Sequence, residues 1–429
     1  MFETDADDGA RHRIVIVGGG VAGLDLAVSL GRHPALSVTV IDLATAHVWK
    51  PMLHSIAAGT RASADVALPY AAQAQRHGFT YIAGRARAVD RATRRVHVDS
   101  FALHGRELLP ERDIGYDTLV LAIGSVAAPF GVDGVEDHAR HIDTLEEAQA
   151  FQADLLPRLV EAAHAGRRLA VAIVGGGATG VQLAAELVQM ADIADSYGLD
   201  GSRSTIDVTL VDRGSRLLPA FPETISTAVR ERLERLGVRV RTDIDVTAAT
   251  PGGLHVAGAD VAADLTVWAA GVQAAPLAVD LPRDRSDRIL VDCACRAVED
   301  PHIYAIGDCA SLTSPGNDRP LPPTAQVAYQ QAVHLASALP RHVAGRSIAP
   351  FRFREFGALV RLGTYDGYAE LGKFGFLSGV VRGRLARFGH ALLYRRHQTR
   401  LHGLRPMLRL WMSDILVGDL RPAAVISET

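Results

Sequence analysis

Cysteine is scarce in this 429-residue chain, which contains only Cys293, Cys295 and Cys309. This set has neither the paired spacing of a disulfide framework nor the four ligands of a structural zinc site. The sequence therefore predicts no metal site and a reducing environment. Cys293 and Cys295 alternate along ILVDCACRAV, a pattern that predicts packing on one face of a strand.

Long apolar runs are also missing. No stretch of about 20 apolar residues stands outside the glycine-rich segments, so a membrane-spanning helix is not expected. The first thirteen residues, MFETDADDGARHR, are acidic and polar and do not have the basic start and apolar run of a secretory signal. The protein is therefore expected to stay inside the cell. Its 48% hydrophobic content predicts a packed globular protein of two or three domains.

Lysine is rare as well, since only Lys50 and Lys373 occur among the 45 basic residues. The formal net charge is −3, yet residues 380–422 contain nine arginines against Asp414 and Asp419. Apolar residues alternate with these arginines as in interfacial helices, whose cations meet anionic headgroups. The apolar set is Leu392, Leu393, Leu401, Leu404, Met407, Leu408, Trp411, Met412 and Leu416. The sequence predicts an amphipathic, membrane-associating C-terminal region, with a dimerisation element as the alternative, and no nucleic-acid partner.

Glycine is plentiful, and two groups of glycines follow the same pattern. The first group is Gly18, Gly20 and Gly23, and the second is Gly175, Gly177 and Gly180. The GxGxxG spacing between a strand and a helix permits a tight turn, a close approach to a pyrophosphate and close helix packing. Each copy is followed by an aspartate at the end of the next strand, Asp42 or Asp212, which can accept hydrogen bonds from a ribose. The sequence therefore predicts an α/β fold with two Rossmann-like dinucleotide-binding domains.

Two dinucleotide folds in one chain are typical of a flavoprotein that holds one dinucleotide permanently and exchanges a nicotinamide at the other. Asp212 repels a 2′-phosphate and favours NADH over NADPH. Arg213 and Arg216 lie close by in the sequence and would reverse this preference if they contacted the nucleotide. The alternative is that both are surface arginines. Asp308, in the strand-and-turn segment HIYAIGDCA, is placed to accept a hydrogen bond from a flavin ribityl chain.

A helix is predicted after Pro322 and Pro323, with Thr324 as its N-cap and Pro340 at its end. Its N-terminus would aim a positive dipole and unpaired N–H groups at the flavin.

These features together resemble the type II NADH:quinone oxidoreductases, which are single-chain NADH dehydrogenases that do not pump protons. The match covers nearly the whole chain and includes WKPMLHSIAAG at 49–59, VWAAG at 267–271, YAIGDCA at 304–310 and AQVAYQ at 325–330. The resemblance implies FAD bound tightly without a covalent link, NADH as the exchanging substrate, and electron transfer to a membrane quinone. It also implies a homodimer, peripheral to the cytoplasmic face of the cell membrane.

The resemblance also implies site residues and domain boundaries. The FAD contacts would be Gly18, Gly20, Gly23, Asp42, Lys50, Ala86, Gly124, Gly307, Asp308, Ala325 and Gln326. The NADH contacts would be Gly175, Gly177, Thr179, Gly180, Asp212 and Gly271. The quinone pocket would be lined by Gln326, Tyr329 and Gln330. The FAD domain would comprise residues 1–140 and 289–345, the NADH domain 141–288, and the membrane and dimerisation region 346–429.

The chain departs from the family at Gln182, where a glutamate facing the nicotinamide and flavin is usual. An amide carries no proton near neutral pH, so a proton-relay duty would be absent or moved, whereas positioning of the nicotinamide by a hydrogen bond would survive. Glu186, one turn later, is the family's other acid, with a helix-surface or structural role as the alternative.

The segment 47–59 contains no cysteine, although related disulfide reductases carry a redox pair at this spacing. The reduced flavin would therefore pass its electrons to a diffusible acceptor, and a quinone suits that opening. Lys50 and His54 are candidates to supply protons or to polarise a quinone carbonyl, and a buried histidine with satisfied hydrogen bonds is the alternative.

Three other functions remain open. A sulfide:quinone oxidoreductase has a similar fold but needs cysteines near the flavin. A soluble NAD(P)H-dependent reductase for ferredoxin or a similar carrier would keep both dinucleotide sites without the basic tail. A non-catalytic flavin-binding redox sensor would keep the folds and lose turnover, and Gln182 is the feature that favours it.

Overall fold

The computed structural model describes residues 11–103, 105–196, 205–374 and 377–383, followed by 386, 389, 392, 395, 398–401 and 403–417. The chain divides into two compact units. Unit 1 comprises Met1–Val48, Ala67–Val126 and Val272–Arg354, and unit 2 comprises Trp49–Val66, Ala127–Gly271 and Glu355–Thr429.

The secondary-structure elements are numbered here in chain order. The helices are α1 (Val21–Leu30), α2 (Leu53–Ala57), α3 (Tyr70–His77), α4 (Val135–His138), α5 (Leu145–His164), α6 (Ala178–Ser196), α7 (Glu223–Arg235), α8 (Ala325–Val343) and α9 (Leu404–Val417). The strands of the first half are β1 (His12–Val17), β2 (Leu36–Asp42), β3 (Ala46–His47), β4 (Leu68–Pro69), β5 (Thr80–Ala83), β6 (Ala86–Asp90), β7 (Arg95–Val98), β8 (Phe101–Leu103), β9 (Arg106–Leu109), β10 (Arg112–Gly115), β11 (Thr118–Leu121), β12 (Ser125–Ala127) and β13 (Leu169–Val174). The strands of the second half are β14 (Ile206–Val211), β15 (Arg239–Arg241), β16 (Val246–Thr250), β17 (Gly253–Val256), β18 (Val261–Ala262), β19 (Leu265–Trp268), β20 (Val272–Ala274), β21 (Ile289–Leu290), β22 (Ile303–Ala305), β23 (Ala310–Ser311), β24 (Gly357–Leu362), β25 (Asp366–Phe374) and β26 (Leu377–Arg382). Short 3-10 turns occur at Lys50–Met52, Ser63–Asp65 and Gly307–Cys309.

The main sheet of unit 1 has the parallel strand order β22-β11-β1-β2-β5. Strands β1 and β11 contain continuous apolar runs, Ile14–Val17 and Leu119–Leu121, as expected where both faces of a sheet are covered, and Ile14 and Ile16 are fully buried. The carboxyl ends of parallel strands lie at one edge, where open α/β sheets bind their ligands. This edge therefore gathers the segments that follow β1, β2, β11 and β22.

Helix α8 packs on α1 within unit 1 and begins as predicted. The Thr324 side chain accepts a hydrogen bond from the backbone N–H of Val327 over 3.3 Å. The prediction that Pro340 ends the helix is wrong, because α8 continues to Val343. A proline removes only its own N–H from the last turn, and the N–H of Ala344 still reaches the carbonyl of Pro340 over 3.3 Å.

The predicted strand through Cys293 and Cys295 is also wrong. Strand β21 ends at Leu290, and Asp292 then turns the chain by accepting hydrogen bonds from the N–H groups of Ala294 and Arg296 over 2.8 and 3.0 Å. Cys295 consequently has a positive φ of 64° and is buried, whereas Cys293 is exposed.

Unit 2 repeats the parallel design with the sheet order β15-β14-β13-β19. Helix α6 follows β13 and is buried along most of its length, from Gly180 to Leu187 without interruption. Over residues 180–188 the helix is apolar on all sides except at Gln182 and Glu186, which places this part of it in the interior. Both polar side chains are thus carried into the core of this unit.

Unit 2 also contains two antiparallel sheets, β16-β17-β18 and β24-β25-β26. Strand β24 begins at Gly357, and residues 351–356 before it are not in a strand.

Helix α9 lies in the basic tail and has an exposed apolar stripe. Leu404, Leu408, Trp411 and Met412 are exposed and fall at helical spacings that place them on one face. Two residues predicted for that face, Leu401 and Met407, are buried instead. Leu392 is exposed, while Leu393 and the side chain of Leu416 lie outside the described residues. Within the part of the chain described, no helix has the length and apolar character needed to span a bilayer.

Candidate functional site

The first glycine turn connects β1 to α1 and leaves no room for side chains at two of its three motif glycines. A Cβ on Gly18, whose φ is +100°, would stand 2.3 Å from the carbonyl oxygen of Ala122, and one on Gly23 would stand 1.8 Å from that of Gly18. A Cβ on Gly20 would meet nothing within 4 Å. The turn is therefore packed tightly against neighbouring backbone at Gly18 and Gly23 and is open at Gly20. This opening leaves space for a phosphate at the N-terminus of α1.

The middle of this turn is tied to the end of β2. The N–H of Gly19 donates to Oδ2 of Asp42 over 2.5 Å, while Oδ1 accepts from the N–H of Ala44 over 2.8 Å. The carbonyl of Gly19 accepts from the Tyr70 hydroxyl over 2.7 Å and lies 3.0 Å from Nδ1 of His47. Sequence reasoning missed Tyr70 and His47, because their partner is a backbone group from a distant part of the chain.

The second glycine turn, between β13 and α6, has the same geometry. A Cβ on Gly175, at φ +119°, would stand 2.3 Å from the carbonyl oxygen of Ala269, and one on Gly180 would stand 2.0 Å from that of Gly175. Gly177 faces open space. The N–H of Gly176 donates to Oδ2 of Asp212 over 2.5 Å. Two separate sites in this chain thus have the form that receives a dinucleotide pyrophosphate.

The arginines after Asp212 have different surroundings. Arg216 donates from its two terminal nitrogens to the carbonyls of Phe221 and Pro219, each over 2.8 Å, so its guanidinium is held by the loop. Arg213 is exposed. The Oδ1 atom of Asp212 also accepts from the N–H of Gly214 over 2.6 Å. The carboxylate is therefore fixed by two backbone donors.

Asp308 lies in the 3-10 turn after β22, where Gly307 has a φ of +76°. The hydroxyl of Ser125 donates to Oδ2 of Asp308 over 2.7 Å. The N–H of Gly307 donates to Oε1 of Gln331 over 2.7 Å, and Gln331 is 1% exposed. Sequence reasoning missed Gln331, although a polar residue on the buried face of an amphipathic helix was a visible signal.

A cavity of about 320 Å³ borders Asp308 in unit 1. Its other walls include Val272, Gln273, Arg288 and the segment 319–323. Arg288 is ion-paired to Asp284 over 2.8 Å. The predicted ribityl-binding aspartate therefore faces space that a ligand can enter.

The candidate quinone residues lie on the first turns of α8. Gln326, Tyr329 and Gln330 are all half-buried. The amide of Gln330 donates to the carbonyl of Arg354 over 2.7 Å and accepts from the N–H of Arg354 over 3.0 Å. Both polar groups of Gln330 are thus engaged with the backbone.

Helix α6 carries a buried carboxylate, paired to the half-buried Arg361, one turn beyond Gln182. Glu186 is 1% exposed, and its Oε1 accepts from Arg361 and from the hydroxyl of Ser55, each over 3.0 Å. Its Oε2 accepts from the hydroxyl of Thr60 over 2.5 Å. Burial alone raises the pKa of Glu186, but the charge of Arg361 and the hydroxyl donors outweigh burial and hold that pKa below its ordinary value. Glu186 is therefore an ionised structural residue and not a helix-surface one.

The cysteine-free segment 47–59 contributes His54 to the same cluster. His54 is 4% exposed, and burial lowers its pKa to about 4 against the attraction of Glu186. It is neutral at pH 7. Lys50, in the preceding 3-10 turn, forms an ion pair of 2.9 Å with Asp143 and retains 42% side-chain exposure.

The remaining candidates lie at strand ends or helix starts. Ala86 begins β6, Ala325 begins α8, and Thr179 is exposed at the start of α6. Gly124 has a φ of +74° and would meet nothing with a Cβ. Gly271 has a φ of +146°, and the Phe130 ring stands 3.0 Å from its ideal Cβ position. Phe130, which is 65% exposed at a positive φ of 51°, is another residue that sequence reasoning missed.

The structure brings the predicted residues together in sets within each unit. At the carboxyl edge of the unit 1 sheet lie the first glycine turn, Asp42 and the turns at Gly124 and Asp308. At the corresponding edge in unit 2 lie the second glycine turn, Asp212 and Gly271. Gln182 and His54 belong to unit 2, and the three residues of the predicted quinone pocket belong to unit 1.

Comparisons with known proteins agree with this arrangement. Residues 12–332 match the pyridine nucleotide-disulphide oxidoreductase family. The chain is 35% identical to the type II NADH:quinone oxidoreductase of Haemophilus influenzae, over 95% of this chain and 98% of that protein.

Two solved structures share the fold. NDH2 from Plasmodium falciparum in complex with NADH superposes with a TM-score of 0.81 at 18% identity, covering 97% of this chain and all of that one. The sulfide:quinone oxidoreductase of Aquifex aeolicus superposes with a TM-score of 0.70 at 18% identity, over 95% of each chain. The chain belongs to the type II NADH:quinone oxidoreductase family, within the pyridine nucleotide-disulphide oxidoreductases.

Proposed function

We infer that this chain is an oxidoreductase that carries electrons from NADH to a quinone, as the name of its family states, and that FAD is the intermediate carrier. The observation that carries the inference is the pair of glycine turns, each bonded to a strand-end aspartate, in a chain of that family. When bound, FAD accepts a hydride from NADH and returns two electrons to the quinone.

The first turn and the residues around it would hold FAD. The open face at Gly20 would admit the pyrophosphate, and Asp42, which holds the N–H of Gly19, would accept a hydrogen bond from the adenosine ribose. Asp308, oriented by Ser125, would accept a hydrogen bond from the ribityl chain. The proposed FAD set is Gly18, Gly20, Gly23, Asp42, Lys50, Ala86, Gly124, Gly307, Asp308, Ala325 and Gln326.

The second turn would bind NADH. Asp212 is held by two backbone donors beside the place where the adenosine ribose would lie, so its charge opposes a 2′-phosphate. The loop carbonyls hold the guanidinium of Arg216, which favours NADH over NADPH. The proposed NADH set is Gly175, Gly177, Thr179, Gly180, Asp212 and Gly271.

The quinone pocket would be formed by Gln326, Tyr329 and Gln330. Because both polar groups of the Gln330 amide bind the backbone of Arg354, the proposed role of Gln330 is to fix the wall of the pocket. Segment 47–59 supplies no cysteine, so no protein disulfide competes with the quinone for the electrons.

The polar residues of unit 2 would have different roles. Gln182 would orient the nicotinamide by a hydrogen bond, since an amide does not titrate near pH 7. His54 is neutral at that pH, so its role is to polarise a carbonyl and not to store a proton. Lys50, partly exposed beside Asp143, remains the proposed cationic donor.

Membrane contact would come from the exposed stripe of α9. Four exposed apolar side chains stand beside Arg405 and Arg409 on this short helix, a combination that suits insertion at an anionic surface. The proposed location is the cytoplasmic face of the cell membrane, the enzyme is proposed to be a homodimer, and the electron transfer is proposed to occur without proton pumping.

We propose that the chain has three functional regions. Residues 1–140 and 289–345 would form the FAD domain, 141–288 the NADH domain, and 346–429 the region for membrane contact and dimerisation.

Stopped-flow mixing of the purified holoenzyme with NADH, followed by a short-chain quinone, tests the function. Bleaching of the flavin by NADH and its reoxidation by the quinone are expected. Bleaching without reoxidation by quinone would instead identify a reductase for a soluble carrier. No bleaching would identify a non-catalytic sensor.

A further inference from the structure

Phe130 has an exposed ring on a strained backbone, and no step of the proposed reaction uses it. The side chain is 65% exposed, more than any other large apolar side chain in the described part of the chain. Phe130 and Gly131 both have positive φ values, 51° and 73°, and the N–H of Val132 donates to the carbonyl of Pro129 over 3.0 Å. This pattern is typical of a type I′ turn, which favours asparagine, aspartate or glycine. A phenylalanine there strains the backbone and exposes apolar surface at once, which points to a functional contact.

The turn that carries Phe130 is fixed to the end of β19. The N–H of Ala128 donates to the carbonyl of Gly271 over 3.0 Å, and the carbonyl of Ala128 accepts from Nε1 of the buried Trp268 over 2.7 Å. The Phe130 ring lies directly on Gly271, with Cζ 3.0 Å and Cε2 3.1 Å from the ideal Cβ position of that glycine. The backbone at Gly271 thus sets where the ring stands.

Gly271 belongs to a segment that touches the second glycine turn. An ideal Cβ on Gly175 would stand 2.3 Å from the carbonyl oxygen of Ala269 and 2.8 Å from Cα of Ala270. This segment follows β19, which pairs in parallel with β13, the strand that leads into the turn. A continuous path of contacts, through Gly271 and Ala270, therefore joins the Phe130 ring to the phosphate-binding turn.

The strand order of unit 2 decides which half of a dinucleotide reaches Phe130. In the order β15-β14-β13-β19, the chain first extends the sheet on one side of β13 and then crosses to the other side. A dinucleotide lies across the carboxyl edge of such a sheet at this switch point. In the proposed NADH site the adenosine ribose lies beside Asp212, directly after β14. The nicotinamide half therefore extends to the opposite side, over the end of β19, where Phe130 lies on Gly271.

A nicotinamide ring suits the surface that Phe130 offers. Flat rings pair with aromatic side chains in offset-stacked or edge-to-face arrangements. Covering the exposed ring would also remove apolar surface from water. A single side chain offers far less area than a stable protein interface needs, so a small planar ligand is the better match.

We propose that Phe130 binds the nicotinamide ring of NADH by stacking, so that it contributes affinity only for ligands that carry this ring. The inference adds one residue to the NADH set and rests on the proposed function. Because the ring stands on a turn tied to β19 by two hydrogen bonds, Phe130 holds the nicotinamide at the end of that strand.

Isothermal titration calorimetry of the oxidised holoenzyme with NAD⁺ and, separately, with ADP-ribose tests the proposal. Neither ligand reduces the flavin, and ADP-ribose contains the adenosine and both phosphates but no nicotinamide. F130A is expected to raise the Kd for NAD⁺ about fivefold, because it removes one stacking contact. The same variant should leave the Kd for ADP-ribose unchanged. F130Y keeps an aromatic ring and should retain the Kd for NAD⁺.

V160A is the control for the loss of an exposed apolar side chain in the same unit, since Val160 is 51% exposed in α5. It should change neither Kd. Equal increases of both Kd values in F130A would overturn the proposal, because they would show that the ring supports the glycine turn and does not contact the nicotinamide. A loss of NAD⁺ affinity in F130Y as large as that in F130A would overturn it as well.

The ADP-ribose titration separates this proposal from the proposed function. If the unmodified holoenzyme binds ADP-ribose and D212N weakens that binding, the NADH site stands, and an unchanged Kd for NAD⁺ in F130A refutes the role of Phe130 alone. If the unmodified holoenzyme binds neither ligand, the proposed NADH site and the role of Phe130 both fail.

Discussion

The backbone N–H of Gly176 donates to Oδ2 of Asp212 over 2.5 Å, joining the turn after β13 to the end of β14. Gly19 and Asp42 make the same contact in unit 1. In both places one carboxylate stabilises the glycine turn and also stands where a ribose would bind. A substitution at Asp212 should therefore affect nucleotide binding before it affects chemistry.

We expect Asp212→Asn to raise the KM for NADH about tenfold or more, with a smaller change in kcat, because charge-assisted hydrogen bonds contribute roughly 1.5–3 kcal/mol. The ratio of kcat/KM for NADPH to that for NADH should rise as the repulsion disappears. Steady-state kinetics with both nucleotides measures this. Asp207→Asn is the control, at the other end of β14 and paired to Arg239. Equal kinetic losses in the two variants would argue against the nucleotide role.

Gln182→Glu should give the reaction a new pH dependence. Gln182 is 7% exposed in α6, and burial favours the neutral form of a carboxyl group that replaces it. The kcat of the variant should change between about pH 5 and 8, relative to the unmodified enzyme, as that group titrates. Glu161→Gln, on the exposed part of α5, is the control. Superimposable pH profiles of kcat for Gln182→Glu and the unmodified enzyme would show that residue 182 takes no part in the reaction.

Glu186→Gln should strongly destabilise unit 2. The substitution leaves the half-buried Arg361 without its counter-ion, and because only Glu186 of this pair is fully buried, the cost should lie at or below about 3 kcal/mol, the lower end for buried pairs. The midpoint of urea unfolding measures the effect. Arg361→Met in the same chain should restore part of the loss, because the double variant has no unpaired charge. If the losses of stability in the two single variants simply added in the double variant, the energetic coupling of Glu186 with Arg361 would be contradicted.

Lowering the pH should destabilise the fold through His47 and His54. Burial lowers the pKa of each from 6.5 to about 4, so the unfolded chain takes up protons first as the pH falls below 6.5. Stability is then lost between pH 6.5 and 4, by at most about 2 kcal/mol per histidine at pH 5. The lowered pKa of Glu186 keeps its contribution intact in most of this window.

His54→Gln should reduce this loss, measured as the difference in unfolding midpoint between pH 7 and pH 5. His164→Gln, at the exposed end of α5, should leave the difference unchanged. An undiminished difference in His54→Gln would mean that His54 is not kept neutral by the fold.

Serine at Leu404, Leu408, Trp411 and Met412 together should reduce binding to anionic vesicles by at least about tenfold, since each buried apolar side chain contributes roughly 1.5 kcal/mol or more. Vesicle cosedimentation measures this. NADH oxidation by a soluble acceptor should remain. Leu103→Ser is the control for the loss of an exposed apolar side chain elsewhere in the chain, because Leu103 in β8 is 46% exposed. Retained vesicle binding would place the membrane contact elsewhere.

Truncation at about residue 380 should release the protein from membranes and leave NADH oxidation by a soluble acceptor largely intact. Membrane binding that survives this truncation would argue against any role of the basic tail.

The sequence by itself determined the two βαβ units, because runs such as RIVIVGGG and AVAIVGGG combine buried-strand composition with glycines that only a tight turn accommodates. It also determined the N-cap at Thr324, since capping is a local interaction. The prediction at Pro340 failed because the N–H that proline lacks would have bonded only within the last turn, so the helix could continue to Val343. The predicted strand through Cys293 and Cys295 failed because the side chain of Asp292 turns the chain there.

Only the tertiary structure decided the surroundings of the polar residues. The pairing of Glu186 with Arg361 joins positions 175 residues apart, and the support of Gly307 by Gln331 depends on how α8 packs. The same holds for the Phe130 ring on Gly271 and for the division of the apolar tail residues between buried and exposed faces. Local spacing fixes helices and turns, whereas burial and charge pairing depend on which distant segments meet.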